Sequence, residues 1–332
     1  MIYPKNFEEK IGFKQIREYL KSNCLSKLGE ELVDKMSFSS SHRYIERSLQ
    51  ETEEFMTILT EDSEFPTSYF YDVRESLNRI RIDGTILEVH ELIELKRSLE
   101  SIGAITRFFN DKEDKYPNLI NKAGKVKVYP FIINRLEGIV SKHGTIKDTA
   151  SVELGNIRRA IINKKSSISR RMQDLLQRAQ KDGWADQDSS ISIRDGRMVI
   201  PVPSSHKRKI QGIVHDESAT GKTSYIEPSE IVETNNDIKE LEHNEKREII
   251  KIILAFCSDL RPYIDDIIPS YNFLAFIDFV RSKALLSLKL EAIAPEFTKE
   301  PTCNIIRGFH PLLFLKHRQE NKNNNEIGRA HV

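Results

Sequence analysis

Along the central third of the chain, apolar residues follow two different periods. Leu154, Ile157, Ile161, Ile168, Met172, Leu175 and Ala179 step by threes, fours and one seven, the spacing of a narrow apolar seam on a helix. Ile231, Ile238, Leu241, Ile249, Ile252, Phe256 and Leu260 repeat nearly the same pattern. Between them, from Trp184 to Pro228, the period shortens to two. ISIRDGRMVIPVP and IQGIVHDESATGKTSYIEP alternate apolar and polar positions as half-buried strands do, and Asp195-Gly196 supplies a tight hairpin turn. Two seams of similar length flanking one insertion predict an antiparallel helix pair with a small β-rich island at its end. Arg158, Arg159, Lys164, Lys165, Arg170 and Arg171 leave the first seam little apolar surface for a further neighbour.

The remaining pattern predicts mostly helix. Phe7, Ile11, Ile16 and Leu20 share one side of a helix over residues 6–20, which Asn6 starts with Glu8 and Glu9 behind it. Further helices are expected from about Ser26, from Ser41 to Phe65-Pro66, from Asp72 to Ile80, from Leu87 to Phe109 and from Phe131 to Val140. A turn stands at Asp83-Gly84 and a charged loop over 110–117. Tyr263 to Leu290 is apolar on several sides and predicts a buried helix. CNIIRGFHPLLF then returns to strand character with no partner strand in the chain. Asn321 to Asn325 is of low complexity, and Glu326 to Val332 match what a common sequencing adapter would encode if read through in frame. A non-native ending of a gene cut short is therefore expected.

Composition narrows the class. Charged residues make up 30% of the 332, above the roughly 25% of an average globular chain, which fits long exposed helices. Cys24, Cys257 and Cys303 are far apart and form no CxxC pair, so neither a disulfide framework nor a zinc site is implied, and a cytoplasmic setting is the simplest one. No apolar run approaches the 18 residues of a membrane span. A net charge of +1 means that any affinity for nucleic acid must come from a local patch.

Catalytic chemistry finds little support. Gly221-Lys222-Thr223 resembles the end of a phosphate loop, but Asp216 stands where that loop needs its first glycine, and the flanking segments are both strand-like. A β-turn with an exposed lysine is the better account. Asp216-Glu217, Asp265-Asp266, His206 and His215 have no neighbours in sequence that complete a metal or acid–base constellation. No catalytic residue, metal or cofactor site is predicted in this chain. The island does carry charge: Arg194, Arg197, Lys207, Arg208, Lys209 and Lys222 face only Asp195, Asp216 and Glu217 across the same span. Lys207, Arg208 and Lys209 fall in a connection between strands, where side chains are free to reach phosphates, with Arg194, Arg197 and Lys222 in support. Only Trp184 and Tyr225 are candidate stacking aromatics, so backbone-directed, sequence-tolerant binding is expected.

The string from Ile193 to Ile249, with its IVHDxSATGxTxYIEP core, resembles the clamp of the MutS family, specifically the second bacterial branch, whose members carry an Smr tail and lack the mismatch-reading N-terminal domain. KIGFKQIREYL, CLSKLGEEL, ETEEF, DVRESLNRIRIDGTILEVHELIELKRSLES and RGFHPLL extend the resemblance over Met1 to Leu315. It implies a mostly α fold, a helical lever domain with a long antiparallel coiled-coil arm tipped by a small β-rich clamp. Residues 1–148 would form the lever, 149–183 the ascending arm, 184–228 the tip, 229–262 the descending arm and 263–300 a return helix. Residues 301–315 would open a truncated ATPase domain and 316–332 a disordered tail. The resemblance further implies a parent protein that uses ATP and Mg and forms a homodimer through the missing ATPase domain. That parent would act as an endonuclease on branched or mismatched DNA in recombination and repair, and on the rRNA of collided ribosomes. The alternative is a coiled-coil scaffold that docks a ribosomal or other protein through acidic arm residues such as Glu240, Glu242, Glu245 and Glu248.

Overall fold

The computed structural model describes residues 6–62, 64–124, 126–298 and 304–324. Twelve α-helices and four strands are found among them: α1 Phe7–Lys10, α2 Phe13–Asn23, α3 Lys27–Asp34, α4 His42–Glu61, α5 Arg74–Arg79, α6 Val89–Phe108, α7 Pro117–Ala123, α8 Pro130–Ile139, α9 Val152–Lys181, β1 Ser192–Arg194, β2 Arg197–Pro203, β3 Gly212–Glu217, β4 Thr223–Pro228, α10 Ser229–Leu260, α11 Ile264–Leu290 and α12 Pro311–Asn324. The chain divides into two compact units, one of residues 1–137 with 257–332 and the other of residues 138–256. Among the described residues, no helix is long and apolar enough to cross a membrane.

The first unit is built on α11, which packs against α2, α3 and α4. Ile264, Ile267, Tyr271, Leu274, Ile277 and Val280 are all buried, so the helix is covered on several sides as its sequence predicts. At its centre Asp278 accepts hydrogen bonds from the backbone N–H groups of Leu25 (2.8 Å) and Ser26 (2.9 Å) and from Ser26 Oγ (2.7 Å). It thereby places a carboxylate at the start of α3, where unpaired N–H groups and the helix dipole favour negative charge. Gly29 is the consequence, because a Cβ there would lie 2.5 Å from Asp278 Oδ2.

Several expectations are corrected in this unit. The first expected helix is two, α1 and α2, because Gly12 adopts φ +73° between them. Within 110–124, α7 was not expected. Pro117 opens it, and Glu54 of α4 accepts from the backbone N–H groups of Asn118 (3.0 Å) and Leu119 (2.9 Å), a cap supplied from 64 residues away. The strand expected over 301–315 is absent from its described part: residues 304–310 form no regular element and Pro311 begins α12. A lone strand leaves its backbone groups unpaired, whereas a helix satisfies them within one segment. The tail expected to be disordered is helical as far as Asn324, while Cys303 and residues 325–332 lie outside the described residues.

In the second unit α9 and α10 run antiparallel. Positions climbing along α9 meet positions descending along α10: Ser151 Oγ, at the α9 N-cap, donates to Glu248 (2.8 Å), Arg158 Nε to Glu245 (2.7 Å), Lys165 Nζ to Glu242 (2.8 Å), Lys164 Nζ to Asp237 (2.6 Å) and Arg171 Nε to Glu230 (3.2 Å). The α9 seam is Leu154, Ile157, Ile161, Ile168, Met172, Leu176 and Ala179, so Leu176 takes the place expected for Leu175. On α10, Ile253 rather than Ile252 is buried, with Ile231, Ile238, Phe256 and Leu260 as expected. The strands form one antiparallel sheet in the order β1-β2-β4-β3. Ile200 and Val202 of β2 and Ile226 of β4 close a core with Ile168, Met172, Leu176 and Ala179 of α9 and Ile231 and Ile238 of α10.

Candidate nucleic-acid interface

The Asp195-Gly196 pair joins β1 to β2 with both residues at positive φ, +49° and +74°, as a two-residue hairpin turn of the twist-matching kind requires. From there β2 runs to Pro203, which sits opposite Thr223, while Ile200 sits opposite Ile226. The sheet therefore has two ends. One holds the Asp195-Gly196 turn and the β4–α10 junction; the other holds the 204–211 connection and the 218–222 turn.

At the second end two loops are stitched together. Ser204 N–H donates to the Lys222 carbonyl (2.8 Å) and Ser204 Oγ to the Gly221 carbonyl (2.6 Å), while Lys209 N–H closes a turn on the His206 carbonyl (2.8 Å). Gly221 at φ +67° and the Ser218 hydroxyl, which accepts from Thr223 N–H (3.0 Å), make Gly221-Lys222-Thr223 part of a β3–β4 hairpin. No helix N-terminus follows it, so a nucleotide phosphate has no cradle there. Lys207, Arg208, Lys209 and Lys222 are all exposed on these adjoining loops. Lys207 has one weak ion pair, 3.4 Å to Glu217, with both side chains 46% exposed.

Arg194 and Arg197 are placed elsewhere. The Arg194 guanidinium lies 4.1 Å from the Tyr225 ring centroid, and its Nε is 3.2 Å from Asp216. Arg197 is 14% exposed and points Nη1 at both oxygens of Glu227 (2.7 and 2.8 Å) and Nη2 at Asn236 Oδ1 (2.8 Å). Glu227 is wholly buried and also accepts from Asn235 Nδ2 (2.6 Å), with His215 Nε2 at 2.6 Å. Burial alone would raise this carboxyl, but hydrogen bonds from Asn235 and His215 together with the Arg197 guanidinium hold it below the ordinary carboxylate value. Sequence reading missed this cluster. A single glutamate in an alternating strand reads as solvent-facing, and nothing in its spacing ties Glu227 to Asn235 on the next helix. Among the described residues no group of three or more His, Cys, Asp or Glu side chains is placed to hold a metal ion.

The arrangement thus separates four accessible cations on paired loops from two arginines held by neighbours within the sheet. No protein-family profile matches the chain. Curated proteins named Endonuclease MutS2 do. The one from Geobacillus sp. (strain WCH70) is 30% identical over 91% of this chain and 39% of its own length, that from Alkaliphilus oremlandii 31% over 91% and 38%, and that from Acetivibrio thermocellus 31% over 92% and 39%. The chain therefore spans about two fifths of the length of these relatives. Shared sequence over nine tenths of its residues, running through both units, makes the chain a member of the MutS family in its MutS2 branch.

Proposed function

We propose that the sheet and the α9–α10 pair are the nucleic-acid clamp of a MutS-type protein, with the helices as a coiled-coil arm and Lys207, Arg208, Lys209 and Lys222 as phosphate-binding groups. The observation that carries this reading is the gathering of four exposed cations on two loops that are hydrogen-bonded to each other. Cations on loops reach phosphates without reading base edges, so binding is sequence-tolerant and salt-dependent. Arg194 and Arg197 support the site indirectly, the first against Tyr225 and the second by fixing the opposite end of the sheet. In the complete protein the clamp would serve an ATP- and Mg-dependent dimer acting on branched or mismatched DNA in recombination and repair, with ribosomes as a further target.

The scaffold alternative gains nothing from the geometry. Glu242, Glu245 and Glu248 are engaged with Lys165, Arg158 and Ser151 across the helix pair, which leaves little of the acidic surface it requires. The test is a titration of this chain and of its Lys207→Ala/Arg208→Ala/Lys209→Ala variant against duplex DNA, a four-way junction and ribosomes at several salt concentrations. Removing one cation that neutralises a phosphate should lower the slope of log affinity against log salt by about 0.9 on duplex DNA. Unchanged affinity and slope would remove the three residues from the interface.

A further inference from the structure

β3 is an edge strand with neither face covered. Ile213 is 48% and Val214 44% exposed, and these adjacent residues project to opposite faces of the sheet. Edge strands are ordinarily protected by charge, proline or a bulge. Here the bulge lies between Val214 and Asp216 and the charges follow it, so Gly212, Ile213 and Val214 are without that protection. Their unpaired backbone groups can be assigned. Ser229 N–H donates to the Gln211 carbonyl and Ile213 stands opposite Glu227, so Gln211 and Ile213 face β4. By the alternation of an antiparallel ladder, Gly212 and Val214 turn their N–H and C=O groups outward.

The geometry points to a second copy of this chain as the occupant of that edge, β3 pairing antiparallel with β3 about a two-fold axis at Ile213. The charge pattern selects this partner. Lys207, Arg208 and Lys209 precede the axis and Asp216 and Glu217 follow it, so a two-fold copy lays each basic run alongside the other's acidic pair. The attraction already exists within one chain, where Lys207 Nζ is 3.4 Å from Glu217. In this register Gly212 of each copy bonds to Val214 of the other, and the two Ile213 residues form a non-hydrogen-bonded pair with Cα atoms ~4.5 Å apart. So few residues bury far less than a standard interface, and the association is weak and transient.

Oxidative cross-linking captures such an association and needs no nucleic acid, so its failure is separate from failure of the clamp reading. Ile213→Cys in the full chain should form a disulfide dimer under mild oxidation at about ten times the yield of Ile162→Cys, a control at an α9 position 61% exposed, because only the first lies within disulfide reach of its copy. Equal yields would overturn the proposal. On the Ile213→Cys background, Lys207→Glu/Arg208→Glu/Lys209→Glu makes both flanks acidic, and Asp216→Lys/Glu217→Lys makes both basic. Each variant alone should lose the cross-link and a one-to-one mixture should recover it between unlike chains. A mixture no better than either variant would also overturn the proposal, provided that both retain the wild-type circular dichroism spectrum.

Discussion

The two ends of the small sheet use the same residue types for opposite purposes. At the β4–α10 end, Arg197 and His215 converge on a wholly buried Glu227. At the loop end, Lys207, Arg208, Lys209 and Lys222 stand in solvent with one loose ion pair among them. What separates them is the depth of the counter-ion. A guanidinium matched to a buried carboxylate is committed to the fold, because removing either partner leaves an uncompensated charge inside. A lysine facing solvent sacrifices little when it exchanges water and counter-ions for a phosphate. Counting positive residues in the island treats all six alike; their partners sort them.

The comparison can be broken most forcefully at Glu227. Replacing it with alanine strands Arg197 and should destabilise the second unit by about 3–5 kcal/mol in chemical denaturation. A change under about 1 kcal/mol would mean that the cluster holds nothing together. Next comes pH. The Glu227 carboxyl is held below its ordinary value, so its contribution is fully present above the unfolded-state pKa and disappears as pH falls through the lower folded-state value. Stability of the wild type should therefore fall below about pH 4, and Glu227→Gln, already neutral there, should show a flatter acid limb. Lys165→Ala, which removes one half-exposed ion pair of the helix ladder, should cost no more than about 1 kcal/mol, and less at high salt. Smallest of all for stability is Lys207→Ala/Arg208→Ala/Lys209→Ala, expected within about 0.5 kcal/mol of wild type at each site because these side chains are exposed. Its effect belongs to binding, with the salt slope reduced by up to ~2.7 if all three touch phosphate. A triple variant that unfolds early while binding normally would reverse the roles assigned to the two ends.

Much of this fold is legible where local chemistry decides it. Asp195-Gly196 must form the hairpin turn because the turn demands positive φ at both positions. The two heptad-like seams locate α9 and α10 to within a few residues, and only the choice between Leu175 and Leu176, or Ile252 and Ile253, waits on the partner helix. Where a distant residue decides, the sequence is silent. Glu54 starts α7 from another helix, Asp278 caps α3 from the far side of the chain, and Glu227 gathers its partners across strand and helix. The strand expected near Ile305 illustrates the opposite failure, in which apolar character alone suggested an element whose ladder the chain does not contain. For the candidate interface, type and spacing identified the cationic run, but only burial distinguished Arg197 from Lys207.

The rungs between α9 and α10 also order the assembly of this unit. Arg171 and Glu230 are 59 residues apart in sequence, Lys164 and Asp237 73, Arg158 and Glu245 87, and Ser151 and Glu248 97. Once the hairpins have formed and the innermost rung has closed, each further rung encloses only a slightly longer loop, and the entropy of closure rises just logarithmically with that length. The helices can thus zip from the sheet outward without a long search, and amides beside Met172 and Ile231 should be the slowest of the pair to exchange with deuterium.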